Sequence, residues 1–488
     1  MSTIFRNARL GNVVVDVLVE NGAIAEIGPA DGLESRPAAE EMRLDGRWLI
    51  PGLWDNHVHF SQWSMVQQWL DLSSADSAAA VSDLVADSVA QRDHLSLREL
   101  GTLVGFGFRD GLWPDTPSRA ALDQAAGGVP VVLVSADLHA VWLNSAALEL
   151  YGHPEHPTGL LKEDDAFEIT RLINTVEDAT LDSWAMAAAN QAATRGVVGI
   201  VDLEMQWNLE NWTRRTATGF DSLRVDFGVY TQHLDRAIEL GLRTGDSIND
   251  LVSVGMYKVL TDGSLNTRTA FCHDEYPGLE GQQNSRGLLT VPPEQLLPLM
   301  KRASAAGIVP DVHAIGDRAN TLALDAFEKL GIGGRIEHAQ LLSETDFDRF
   351  AQLGVVASVQ PEHAMDDRDV ADRYWGNKTG RSFALKSLLD AGAELSLGSD
   401  APVAPLDPWV TISAAVGRAR DGRDAWHPEQ AISVDAAIAA STRTRVAVGE
   451  VADLAVVDRD PSTSTPDELR SMPVSATMLG GRFTHCAL

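Results

Sequence analysis

The sequence predicts an α/β protein built on a (β/α)₈ barrel, with a small β-sandwich domain formed by both chain ends and an insertion after the first barrel strand. Short β-branched runs alternate with helical stretches through the middle of the chain, as successive βα units require. Eight such runs occur, and eight parallel strands close a barrel of this kind. The candidate barrel strands are residues 53–59, 197–203, 223–230, 254–261, 308–313, 335–338, 355–360 and 394–399.

The connections between these strands predict helices and one large insertion. Helical patterns cover residues 183–194, 293–306, 319–330 and 343–353. The gap between the first two candidate strands is far longer than one crossover needs. We therefore expect an insertion at about residues 67–180, with its own strand at 129–135 and an alanine-rich helix before it.

Both chain ends have the patterns of short strands and turns. Residues 13–20 and 24–27 flank Asn21-Gly22, a strong signal for a two-residue β-hairpin. Residues 452–458 and 476–479 are similarly strand-like. These patterns predict one β domain from residues 1–52 and 447–488, with residues 53–446 forming the barrel domain.

Composition limits the classes of function. The 488 residues include 39 Lys+Arg and 69 Asp+Glu, which gives a formal net charge of −30. Nucleic acids and anionic membranes are poor partners for such a chain, because both bind mainly clustered cations. The sequence has only two cysteines, no apolar segment near its start and no stretch long enough to span a membrane. We therefore expect a cytoplasmic protein.

A histidine pair closes the first candidate strand. His57 and His59 stand two residues apart, so on a strand both side chains project from the same face. Two imidazoles on one face form half of a site for a first-row transition metal. Taken alone, such a pair is more often a surface or hydrogen-bonded pair.

Three further residues of metal-binding types stand at the ends of later strands. His313 and His338 close two candidate strands, and Asp400 follows the eighth. Each histidine by itself could be a hydrogen-bonded core residue, and Asp400 could cap a helix. Active sites of barrels assemble at the carboxyl ends of the strands, so the repeated placement favours a metal site.

Lys258 lies in an otherwise apolar strand, where a charged amine is costly. Burial lowers the pKa of a lysine and favours the neutral amine, which can react with CO₂ to form an anionic carbamate. A carbamate can bridge two metal ions. The alternative is a lysine paired with Asp262 or another carboxylate.

Several motifs together resemble known sequences. They are Pro51-Gly52-Leu53-Trp54-Asp55-Asn56-His57-Val58-His59, Asp137-Leu138-His139-Ala140-Val141-Trp142-Leu143-Asn144-Ser145, the block from Lys258 to Leu265, His313-Ala314-Ile315-Gly316-Asp317, Arg335-Ile336-Glu337-His338 and Gly398-Ser399-Asp400-Ala401-Pro402. In these motifs the chain resembles the amidohydrolase superfamily, and within it amidohydrolase family 3, the YtcJ-like group that includes an N-substituted formamide deformylase. The sequence departs from this pattern at Asn266-Thr267, where many relatives have Gly-Ser. This difference involves none of the expected metal ligands.

The resemblance implies one or two divalent metal ions per chain, with zinc expected. His57 and His59 would bind a buried ion, His313 and His338 a more exposed one, and carboxylated Lys258 would bridge them. Asp400 would be both a ligand and the group that carries the proton. The implied reaction is attack by a metal-bound hydroxide on a carbon–nitrogen bond of a small molecule, in an amide, N-acyl or N-formyl group.

The insertion contains candidates for catalysis and substrate binding. His139 would help to polarise the carbonyl group, and Asp137 and Trp142 would contact the substrate, since specificity often resides in such segments. Structural packing of the insertion is the alternative for all three. Further candidates for the substrate pocket are Trp113, Asn144, Arg268 and Glu337.

Other functions remain open at this point. The same site could serve a lactonase, a carbamate hydrolase or a deaminase, although Ala314-Ile315-Gly316 lacks the glutamate that a deaminase usually places there. A non-catalytic scaffold is the further alternative, but such relatives typically lose metal ligands, and all six are present here. The sequence leaves open whether the chain forms a homo-oligomer.

Overall fold

The computed structural model describes residues 2–37, 39–91, 96, 101–110, 113–136, 140–162, 164–173 and 175–488. Their strands form an eight-stranded parallel sheet, an eight-stranded sheet from the chain ends and a five-stranded sheet in the insertion. The predicted fold class is therefore confirmed. The chain divides into two compact units, Met1–Phe60 with Ala189–Leu488 and the insertion unit Ser61–Ala188.

The parallel sheet is the barrel. Its strands pair in chain order, and the circle closes between the first strand and the segment after the eighth. There the Asp400 amide donates to the His57 carbonyl at 2.7 Å, and the His59 amide donates to the Ala401 carbonyl at 2.8 Å. In order, the eight strands are Leu53–Val58, Val197–Asp202, Arg224–Tyr230, Val252–Leu260, Pro310–Ala314, Gly334–His338, Val355–Val359 and Leu395–Leu397.

Helices connect the barrel strands and continue after the eighth. The predicted helix at 343–353 begins only at Phe347, because the Asp346 amide bonds the Ser343 carbonyl in a preceding turn. The α-helices are Asn208–Ala217, Leu234–Glu239, Pro293–Ala305, Asp317–Leu330, Phe347–Leu353, Pro361–Tyr374, Leu385–Asp390, Pro408–Gly417, Val434–Ala439 and Pro466–Arg470. Short 3₁₀ helices are Thr231–His233, Gly376–Arg381, Pro428–Gln430 and Pro461–Thr463.

The terminal sheet joins five N-terminal strands to three C-terminal ones. The predicted hairpin at Asn21-Gly22 is confirmed: Asn21 has φ 52° and Gly22 φ 81°, and two positive φ angles are what a type I′ turn needs. The strands are Ser2–Leu10, Val13–Glu20, Ala23–Pro29, Ala39–Arg43, Trp48–Pro51, Leu454–Val457, Val474–Leu479 and Arg482–Cys486.

The insertion unit has a core of its own around a mixed sheet. The expected strand and the helix before it are present as Val131–Ser135 and Arg119–Ala126. Its other strands are Leu70–Asp71, Leu103–Phe108, Ala140–Leu143 and Leu160–Lys162. The other helices in or bordering this unit are Phe60–Val66, Ala78–Gln91, Ser145–Leu150, Asp164–Ile173 and Asp178–Ala193. None of the helices in the described ranges combines the length and apolar character that crossing a membrane requires.

Candidate metal centre

Three polar side chains converge where the barrel circle closes. His57 Nε2 and His59 Nε2 each lie 3.3 Å from Asp400 Oδ1. One potential ligand atom from each of His57, His338 and Asp400 lies within 4.8 Å of the others. Imidazole nitrogens and a carboxylate oxygen are the donors that a divalent ion such as zinc prefers, so these residues fit a candidate metal site.

His313 extends this cluster from the fifth barrel strand. Its ring centroid lies 4.4 Å from that of His338, and the two rings meet edge to face. The rings of His57 and His338 are 5.1 Å apart. The structure thus brings the four predicted histidines and Asp400 together at the carboxyl ends of the strands.

Lys258 is buried beside this group. Its side chain is 2% exposed, and its Nζ lies 4.0 Å from Asp311 Oδ2. Within the described part of the chain, Nζ has no hydrogen-bond partner, and neither Asp311 oxygen has one. Burial and the nearby Glu337 raise the pKa of Asp311 to about 8, so Asp311 is a weaker countercharge for Lys258 than an ordinary aspartate.

Asp262, the other partner considered for Lys258, forms hydrogen bonds with backbone amides instead. Its carboxylate accepts hydrogen bonds from the backbone amides of Phe271, Ile315 and Gly316 at 2.8, 3.0 and 2.9 Å. These bonds tie the loop after the fourth strand to the segment that follows His313. Asp262 therefore shapes the loops at the mouth of the barrel.

A second carboxylate, that of Glu337, orients His57 through the Nδ1 atom of its ring. Glu337 is fully buried, and its Oε2 lies 2.5 Å from His57 Nδ1. Gln360 donates to the same oxygen at 3.3 Å. Such a carboxylate fixes the ring and tautomer of a metal-binding histidine. The sequence suggested Glu337 as a pocket residue, whereas the structure places it in this supporting contact.

The backbone at two of these positions is unusual. His338 has φ 74° and Asp400 has φ 58°, a region that residues other than glycine rarely adopt. Such conformations cost free energy and concentrate at functional sites. Gly398 contributes to the same closure, since a Cβ atom there would lie 2.7 Å from both the Cβ and the backbone nitrogen of His57.

Burial sets the charge of the cluster. It lowers the pKa of His57 and His338, and together with nearby Lys258 it lowers the pKa of His313 to about 3. His57, His313 and His338 are therefore neutral, which is the form that binds a metal ion, whereas Asp400 raises the pKa of His59 despite its burial. Burial alone would raise the pKa of Asp400, but His57 and His59 hold it well below its ordinary value, so this carboxylate is ionised.

One residue of this site was missed from the sequence. His363 follows the seventh strand, and its Nε2 lies 3.9 Å from Asp400 Oδ2. Its ring is stacked on His338, with centroids 6.2 Å apart and an interplanar angle of 19°. The available signal was Gln360-Pro361-Glu362-His363, which puts a histidine one turn beyond a candidate strand end.

Four of the six remaining predicted residues are among those that the structure describes. Asp137 and His139 fall outside the described residues. In the insertion unit, Trp142 is fully buried in the hydrophobic core, and Trp113 packs against Phe108 with ring centroids 5.8 Å apart.

Asn144 and Arg268 belong to different units. Asn144 Oδ1 accepts from the amides of Val131 and Ala147 at 3.0 Å, so this side chain serves the packing of the insertion unit. Arg268, in the loop after the fourth barrel strand, lies over the ring of Tyr374, with its guanidinium carbon 5.4 Å from the ring centroid.

Comparisons with known proteins identify the family to which the chain belongs. Residues 40–485 match the amidohydrolase family. Protein LONG AFTER FAR-RED 3 of Arabidopsis thaliana is 28% identical, with 95% of this chain and 87% of that protein aligned. The putative amidohydrolase YtcJ of Bacillus subtilis is 27% identical, with 96% and 95% aligned. The N-substituted formamide deformylase of Arthrobacter pascens is 26% identical, with 95% and 94% aligned.

A solved structure has the same fold. It is that of an uncharacterised metal-dependent hydrolase from Pyrococcus horikoshii, with a TM-score of 0.79 and 24% identity. The match covers 96% of this chain and 99% of the other. The likeness extends over the terminal sheet, the barrel and the insertion.

Proposed function

Because the chain belongs to the amidohydrolase family, we propose that it is a metal-dependent hydrolase that cleaves a carbon–nitrogen bond of a small molecule. The bond is that of an amide, in an N-acyl or N-formyl group. The observation that carries the proposal is the convergence of His57, His338 and Asp400, with ligand atoms within 4.8 Å. The name of the Arthrobacter pascens relative, an N-substituted formamide deformylase, supports the choice of bond.

The chain's own residues would hold one or two divalent ions, zinc by preference. His57, His59 and Asp400 form one set of ligands, and His313 and His338 form a second. A bound divalent ion supplies Lewis acidity, which polarises a carbonyl group and lowers the pKa of a water molecule to about 7. Buried atoms that lack hydrogen-bond partners among the described residues, such as His338 Nδ1 and His313 Nε2, fit this use.

Lys258 completes the set after carboxylation. The amine, in its uncharged form, would add to CO₂ and release a proton, which would leave an anionic carbamate as a further ligand. Burial in a strand, with Nζ 4.0 Å from Asp311, supports this role because the amine is not held in a close ion pair.

Asp400 carries the proton. Its carboxylate is ionised and takes a proton from the attacking water, whose oxygen bonds to the carbonyl carbon. The same proton then passes from Asp400 to the leaving nitrogen as the carbon–nitrogen bond breaks. Glu337 supports this step by fixing the ring of His57, which lies 3.3 Å from Asp400 Oδ1.

The test combines metal analysis with a substrate screen. We expect the purified protein to contain zinc or a similar divalent ion and to hydrolyse a member of a panel of N-formyl, N-acyl and carbamoyl amines, with lactones included. Asp400→Ala and Lys258→Ala should reduce turnover by about a thousandfold or more. The matched controls Asp435→Ala and Lys301→Ala change exposed residues and should leave turnover unaltered.

Two results would contradict the proposal. Full activity on an amide after removal of all metal would exclude a metal-dependent reaction. A strong preference for lactones over every amide in the panel would move the reaction to carbon–oxygen bonds.

A further inference from the structure

The helix Pro361–Tyr374 presents two polar side chains that the proposed reaction has not used. His363 and Asp367 stand four residues apart, so they lie on the same face of the helix. The helix starts directly after the seventh barrel strand, Val355–Val359, which places its first turn at the metal centre. We call these two side chains the recognition wall.

His363 has a free hydrogen-bonding atom next to the candidate base. The residue is 8% exposed, and no described residue hydrogen-bonds to its Nε2. That atom lies 3.9 Å from Asp400 Oδ2, which is too long for a hydrogen bond. A buried imidazole nitrogen without a partner costs about 1–3 kcal/mol, so its retention indicates a ligand that completes it.

Asp367 is held in place by amide groups from two other loops. Asn266 donates to its Oδ1 at 2.8 Å, and Gln340 donates to its Oδ2 at 3.4 Å. Each carboxylate oxygen has two acceptor positions. Asp367 therefore keeps the capacity to accept a hydrogen bond from a donor on a substrate.

Ion pairs attach the helix Pro361–Tyr374 to a neighbouring loop. Arg420 donates to Glu362 and to Asp366, both at 2.8 Å, and so joins the helix to the segment that follows the helix Pro408–Gly417. These contacts lie along the helix beside the recognition wall. A recognition site needs such support to keep its side chains in a productive geometry.

We propose that the recognition wall binds the substrate on the Asp400 side of the centre. His363 hydrogen-bonds to the group being cleaved, and Asp367 accepts a hydrogen bond from a donor, such as an ammonium group, next to that bond. The substrate class is therefore an N-acyl or N-formyl compound with a donor group close to the scissile bond. This inference rests on the proposed function.

Two hydroxamates test it on the metal-loaded full-length protein. Hydroxamates bind to metal ions, and glycine hydroxamate carries an ammonium group that acetohydroxamate lacks. Calorimetry should give an affinity about tenfold higher for glycine hydroxamate in the wild type. Asp367→Asn should abolish that preference, and His363→Asn should weaken both ligands about tenfold without changing metal content. Asp369→Asn, an exposed position on the same helix, should behave as the wild type.

The possible outcomes distinguish failure of this inference from failure of the proposed function. An unchanged preference in Asp367→Asn, no preference in the wild type, or His363→Asn affinities within about twofold of wild type would each overturn the recognition wall. Loss of metal from His363→Asn would also overturn it, since His363 would then be a metal ligand. Metal-loaded wild type that binds neither hydroxamate would instead contradict the proposed function.

Discussion

The terminal sheet and the mouth of the barrel both bury charged side chains, but they satisfy them differently. In the terminal sheet, Arg6 donates to Asp16 at 2.6 Å, to Glu41 at 2.9 Å and to the Leu33 carbonyl at 2.7 Å. At the barrel mouth, Lys258 lies 4.0 Å from Asp311 and hydrogen-bonds to none of the described residues.

This difference separates buried polar groups that stabilise the fold from buried polar groups that are available to bind a ligand. A buried charge is expensive unless it is paired and hydrogen-bonded, and most buried polar groups are satisfied for that reason. Several of the unsatisfied groups lie in one part of the barrel, at Lys258, Asp311, His313, His338 and His363. Their cost is offset if a ligand completes them.

The largest effect is expected in the terminal sheet. Arg6→Met removes the main partner of Asp16, which is fully buried, so the free energy of unfolding should fall by about 3 kcal/mol. Denaturant titration measures the change. Metal content and turnover of the folded protein should not change, because Arg6 lies outside the candidate metal centre.

A double variant and a pH series sharpen this result. Arg6→Met with Asp16→Leu should regain much of the lost stability, since two apolar side chains replace the buried pair. Burial would raise the pKa of Asp16, but Arg6 lowers it below its ordinary value. The pair therefore stabilises the wild type above about pH 4, and this contribution is lost as the pH falls. A wild type that keeps its full advantage over the single variant at low pH would argue against the pairing.

An intermediate effect is expected at the closure of the barrel. Gly398→Ala places a Cβ atom 2.7 Å from His57 Cβ, so His57 must shift. We expect a loss of about 2 kcal/mol in stability and about tenfold in metal affinity. Gly380→Ala is the control, because its Cβ would meet only His427, at 3.9 Å. Equal metal affinity in both variants would show that His57 tolerates the displacement.

The smallest expected effect is a gain in stability rather than a loss. Lys258→Met replaces a buried amine without close partners by an apolar side chain of similar length. Metal-free protein should become more stable by about 1 kcal/mol, while the metal content of untreated protein falls. Thermal unfolding with and without a chelator measures both changes. A large loss of stability in the metal-free variant would mean that Lys258 supports the fold through its charge.

Prediction from sequence succeeded where the signal is local. All eight barrel strands lie within a few residues of their predicted bounds, since β-branched runs between helical patterns are a property of the chain itself. The four histidines and Asp400 of the candidate metal centre were expected to lie together because the strand ends of a parallel barrel meet on one side, and the structure brings them together. The contact of Glu337 with His57 and the position of His363 beside Asp400 were not predicted, because these contacts join residues far apart in the sequence.

The sequence by itself determined the barrel, the hairpin at Asn21-Gly22 and the membership of His57, His59, His313, His338 and Asp400 in one site. Only the tertiary structure decided which buried polar groups are satisfied. It pairs Arg6 with Asp16, places Glu337 behind His57 and leaves Lys258 and His363 without hydrogen-bond partners among the described residues. The physical reason is that periodicity sets the face of a strand on which a side chain lies, whereas its partners depend on how distant segments pack.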